Sequence, residues 1–85
     1  MLHANEEPDL TTMVVEQYEG PKNDKGAFHG DGGVVRFQGG HVYRGSFAEG
    51  KMHGTGRYEW ADGVVYEGDF ECNSITGIGT YTWPP

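Results

Sequence analysis

Cysteine, basic side chains and long apolar runs are all scarce in this chain, and each shortage closes off a class of protein. A single cysteine, Cys72, cannot form an internal disulfide, which fits a reducing compartment. Six Lys and Arg stand against thirteen Asp and Glu, for a net charge of −7. That balance argues against nucleic acid, whose binding rests on cationic contacts to phosphate, and less firmly against an anionic membrane surface. No stretch approaches the ~18 apolar residues of a spanning helix. The opening MLHANEEPDL has neither a basic region nor an apolar run of the kind a signal peptide needs. The expectation is a soluble cytoplasmic protein. Only 35% of the 85 residues are hydrophobic and fifteen are Gly, so a two-layer core is out of reach. One small domain of marginal stability, dependent on a partner or on further repeats, is what such a chain supports. Helix is disfavoured throughout as well, since each interior Gly costs roughly 1 kcal/mol and the apolar spacing is two rather than three or four.

What the chain has is aromatic residues at a fixed period. Tyr43 to Asp62 returns twenty-three residues later as Tyr66 to Pro85. At that offset Tyr43 falls on Tyr66, Gly45 on Gly68, Phe47 on Phe70, Gly54 on Gly77, Gly56 on Gly79, Tyr58 on Tyr81 and Trp60 on Trp83. A more divergent copy lies upstream: Tyr18-Glu19-Gly20 matches Tyr43-Arg44-Gly45, and His29-Gly30-Asp31-Gly32 matches His53-Gly54-Thr55-Gly56. Its spacing is twenty-five, with one extra residue placed in the loop 21–26 and one near Gly33, where an added Gly suggests a bulge. The chain therefore divides into an acidic flexible segment, 1–12, and a repeat sheet, 13–85, with units starting at Tyr18, Tyr43 and Tyr66.

Each unit reads as a β-hairpin. A strand is expected over 11–20, before Gly20 and Pro21. Tyr43, Gly45 and Phe47 are spaced by two and share a strand face, with Arg44 and Ser46 on the other. A turn at Ala48 to Lys51 leads to a return strand carrying Gly56, Tyr58 and Trp60. Asp62-Gly63 and Gly39-Gly40 then turn the chain into the next unit. The implied fold is all-β, an elongated single-layer antiparallel sheet of tandem hairpins, aromatic on one face and charged on the other. Gly45, Gly56, Gly68 and Gly79 leave room for rings to lie flat on the backbone, so β-branched residues there should displace a ring.

Candidate chemical sites are poor. His29 and His53 occupy equivalent repeat positions, but Thr76 replaces them in the last unit, which favours a turn-packing role over a metal or pH-sensing pair. The Gly-x-Gly pairs at 30/32, 54/56 and 77/79 each open a strand, whereas a phosphate loop must open a helix. Cys72 has no activating cation nearby, and Glu49, Glu59, Asp62, Glu67 and Asp69 fall on turns or on the charged face. Neither an enzyme nor a cofactor or metal site is indicated. The aromatic stripe remains: Tyr43, Phe47, Tyr58, Trp60, Tyr66, Phe70, Tyr81 and Trp83. It is the only core available, and a one-layer sheet should leave part of it exposed as a docking groove for a partner's helix or strand. The strand over 79–83 would also present an open edge, blunted by Pro84-Pro85 or covered by something else, self-association included.

The pattern Tyr-x-Gly-x-Phe, His-Gly-x-Gly-x-Tyr-x-Trp, Asp-Gly over Tyr18 to Pro85 resembles the MORN repeat. The middle copy is complete. The first has Val35 and Phe37 where the family has Tyr-x-Trp, and the third has Asn73 for Gly, Thr76 for His, and Pro84-Pro85 where Pro-Asp-Gly would continue. The stretch from Val14 to Phe70 is further similar to MORN arrays of the radial spoke head in cilia and flagella. The resemblance implies a non-enzymatic structural or adaptor module with protein partners in an axonemal assembly. It also leaves two alternatives: a membrane-associated module binding phospholipid, disfavoured by the acidic balance, and an accessory domain of an enzyme.

Overall fold

The computed structural model describes residues 14–85. The segment 1–12 and the first residues of the strand expected over 11–20 lie outside it. Six strands follow one another: β1 (Val15–Glu19), β2 (Gly30–Phe37), β3 (Val42–Ala48), β4 (Lys51–Glu59), β5 (Val65–Glu71) and β6 (Ser74–Thr82). They pair antiparallel in sequence order within one open sheet. The described residues contain no helix. Extents of 41 × 26 × 19 Å make the sheet elongated, as tandem hairpins added side by side require.

Two kinds of connection alternate. Within units, β3–β4 turns at Glu49-Gly50 (φ 53° and 85°) and β5–β6 at Cys72-Asn73 (φ 50° and 71°). Two successive left-handed residues are the mark of a primed two-residue turn, whose twist matches that of the flanking strands. The first unit instead uses a longer loop, closed by Asn23 N donating to Ala27 O at 2.9 Å, with Asn23 Oδ1 accepting from Lys25 and Ala27 amides. This is where the sequence carries its extra residue. Between units the loops are wider: Phe37 N donates to His41 O and Trp60 N to Val64 O, each at 2.9 Å.

Register aligns equivalent residues in rows that cross the strands. One row runs Tyr18, Val35, Tyr43, Tyr58, Tyr66, Tyr81. The neighbouring row is glycine: Gly33, Gly45, Gly56, Gly68, Gly79. Tyr43 lies over Gly56, so a Cβ built there would sit 2.5 Å from Tyr43 Cε1, and Tyr66 covers Gly79 in the same way. Phe47 covers Gly33. The opposite face carries Arg44, Arg57, Glu59 and Glu67 in exposed ion pairs, Arg57 Nε to Glu59 at 2.9 Å being the shortest. Pairs of this kind add little stability.

One expectation needs correcting. The Gly-x-Gly pair opens a strand only at Gly30; Gly54 and Gly77 lie inside β4 and β6. The pairing shifts register between Gly45 and Phe47 and between Gly68 and Asp69, opposite those residues, just as it does near Gly33. Every unit is therefore bulged, not the first alone. Gly54 (φ 91°) and Gly77 (φ 60°) adopt the left-handed backbone that such a bulge needs.

Candidate functional site

The structure separates the eight stripe residues into two groups. Tyr43, Phe47, Tyr58, Trp60, Tyr66 and Phe70 are buried and form the core with Val35, Phe37, Met52 and Val64. Tyr81 is half-buried, and Trp83 is 52% exposed although its repeat equivalent Trp60 is 4% exposed. Exposure along the stripe is thus confined to its C-terminal end. The physical reason is that each unit's rings interlock with those of the next. Phe47 meets Tyr18 edge-on at 5.5 Å and 88°, and Phe70 meets Tyr43 at 4.9 Å and 81°. Trp60 stacks with Tyr81 across the next hairpin at 6.2 Å. Edge-to-face pairs of this geometry contribute about 0.5–1.5 kcal/mol beyond the area they bury.

Each unit's leading tyrosine also holds its own bulge. Tyr18 Oη donates to Pro21 O at 2.6 Å, Tyr43 Oη to Ser46 O at 2.8 Å and Tyr66 Oη to Asp69 O at 3.2 Å. In the second and third units the carbonyl three residues on is thereby satisfied on a partly buried backbone, which explains Tyr rather than Phe at this position. Burial pushes the Tyr43 and Tyr58 hydroxyls well above the usual tyrosine range, and those of Tyr18 and Tyr66 upward as well.

Turns stitch the units together. Gly50 N donates to Phe28 O at 2.8 Å, and one unit later Asn73 N donates to Met52 O at 3.0 Å. Asn73, which the repeat pattern marks as a departure from Gly, adds a second bond: its buried Oδ1 accepts from Met52 N at 2.9 Å. Asn combines tolerance of positive φ with a side-chain acceptor. Asn73→Ala should lower stability by about 2–3 kcal/mol, through an orphaned Met52 amide and a strained backbone. Asn73→Gly, which relieves only the strain, should cost visibly less in urea denaturation.

His29 has a place in the same scheme. Its Nδ1 accepts from Glu49 N at 3.1 Å, and His41 Nδ1 accepts from Ala61 N at 3.1 Å. Both rings bond a turn of the following unit, and His53 is exposed. Among the described residues no three His, Cys, Asp or Glu side chains gather in a way that could hold a metal ion. Cys72 is exposed in its turn. Sequence reasoning missed the tyrosine clasps and the turn stitches. Only the invariance of Tyr at the head of all three units hinted at the former.

The architecture defines a tandem hairpin-repeat protein. Matches to the MORN repeat cover residues 43–65 and 66–85, and the chain belongs to that family. MORN repeats are generally protein- or lipid-binding modules, and proteins built of them are typically non-enzymatic. The β1–β2 hairpin reproduces the clasp and the stitch of the matched units, through Tyr18 and the Phe28 carbonyl.

Proposed function

We propose that this protein is a non-enzymatic structural or adaptor module of a ciliary or flagellar axoneme, within the radial spoke, that docks a segment of a protein partner on its aromatic face. The observation that carries the docking is the uncovered end of the stripe, where Trp83 stands 52% exposed beside Tyr81. The six buried rings of the stripe position that end. Trp and Tyr are enriched where partners bind most strongly. The axonemal setting, and with it a cytoplasmic location, rests on the likeness of Val14 to Phe70 to radial spoke arrays. The net charge of −7 supports protein over phospholipid as the ligand. Affinity capture from ciliated-cell extract, with bound proteins identified by mass spectrometry, tests the proposal. Radial spoke subunits should be recovered on the wild-type protein and fall several-fold on Trp83→Ala, an exposed position whose truncation leaves the core intact. Recovery of no axonemal protein, or equal recovery on both, would sink it.

A further inference from the structure

The four exposed large hydrophobics among the described residues are Val14 and Val15 at the β1 end and Ile78 and Trp83 at the β6 end. The two ends are not equivalent. β6 is the repeat counterpart of β4, and β4 shows what its free edge accepts. β5 lies along β4 without a register shift, pairing Tyr66 with Tyr58, Gly68 with Gly56 and Phe70 with Gly54. The Phe70 ring then meets Tyr43 edge-on, and the following turn donates to the Met52 carbonyl. Where β5 and its hairpin cover Met52, Tyr58 and Trp60, all three are buried. Their counterparts, Ile75 and Tyr81 on β6 and Trp83 just after it, are half-buried, half-buried and exposed. Gly79 is exposed where its counterpart Gly56 is half-buried.

We infer that the outer edge of β6 is a strand-addition site for a partner segment of the pattern Tyr-x-Gly-x-Phe. Its Tyr pairs with Tyr81, its Gly with Gly79 and its Phe with Gly77, the Phe ring aimed at Tyr66 as Phe70 is at Tyr43. The inference rests on the adaptor reading above and gives the chemistry of what it docks. The segment adds main-chain hydrogen bonds to an edge that no other described strand pairs with, and alternate side chains supply the choice of sequence. A second copy of this chain does not fit as well. Its β1 offers Tyr18, with Gly20 just after the strand, but the Phe position four residues after Tyr18 is Lys22. Charge favours a segment with basic residues between the aromatics, since the chain carries −7.

The sequence 41–48, HVYRGSFA, is such a segment, with Arg44 and no acid. A synthetic peptide of that sequence, titrated into the 85-residue protein, should bind and shift the amide resonances of residues 77–83 while leaving β1 unchanged. The same peptide with Phe47→Ala should bind at least about tenfold more weakly, the loss of one buried Phe side chain. No binding, shifts on β1 instead of β6, or equal affinity of the two peptides would overturn the inference. So would sedimentation showing the free protein already dimeric through β6. Failure of the peptide with radial spoke capture intact would leave the adaptor reading standing and remove only this occupant.

Discussion

Gly56→Ala is expected to destabilise the protein by about 3 kcal/mol or more, a large share of the stability of a domain that holds only ~0.05–0.15 kcal/mol per residue. Gly26→Ala should cost about 1 kcal/mol. The contrast isolates two different reasons for glycine. Gly26 has φ 81° and nothing within 4 Å of a built Cβ, so a side chain meets only backbone strain. Gly56 has no such dihedral, yet its Cβ would lie 2.5 Å from Tyr43 Cε1 and 2.6 Å from Cζ. The ring cannot retreat, because its hydroxyl is bonded to Ser46 O at 2.8 Å and Phe47 and Phe70 press on it at 5.1 and 4.9 Å. Urea unfolding followed by circular dichroism measures both variants. Coupling identifies the cause: in a Tyr43→Ala background, Gly56→Ala should cost at least about 2 kcal/mol less than in the wild type. Equal costs in the two backgrounds would place the penalty in the backbone and refute the ring-over-glycine account.

That account was legible in the sequence because it depends on two short periods. Spacing by two puts Tyr43 and Gly45 on one face, and the offset of twenty-three repeats that face at Tyr66 and Gly68, in the same two rows with β4 between. Hairpins in series, an aromatic face, a charged face and room over Gly56 and Gly79 all follow. What could not be read depends on contacts between units. Burial of Trp60 against exposure of Trp83 is set by whether a further hairpin lies alongside, although the two residues share a local pattern. The bulges at Gly54 and Gly77 shift register inside a strand, so the same residues read as strand openers. Asn73 read as a lapse from Gly, because its value lies in an acceptor aimed at Met52, twenty-one residues away. The tyrosine clasp was hidden for a related reason: its target is a carbonyl brought within reach only by the bulged backbone.

Above pH ~10 the protein should lose stability steeply. Burial raises the Tyr43 and Tyr58 hydroxyls above their unfolded values, so the folded state keeps protons that the unfolded chain gives up. The unfolded state then binds fewer protons, and stability falls as pH rises. The contribution is complete below the unfolded value near pH ~10 and is lost progressively toward the raised folded values. Two tyrosines held in this way give a slope of about 2.7 kcal/mol per pH unit. Tyr58→Phe removes one of them and should lower the slope by about 1.4 kcal/mol per pH unit, whatever it does to stability at neutral pH. The difference between the two slopes cancels every other group that titrates in both proteins. Urea unfolding at successive alkaline pH values gives the slopes, and tyrosinate absorbance gives the ionisation. For Tyr43 and Tyr58 the absorbance should grow with unfolding and not before it. Full tyrosinate absorbance in a protein that still shows native circular dichroism would mean these hydroxyls are open to solvent, and the packed ring row would have to be abandoned.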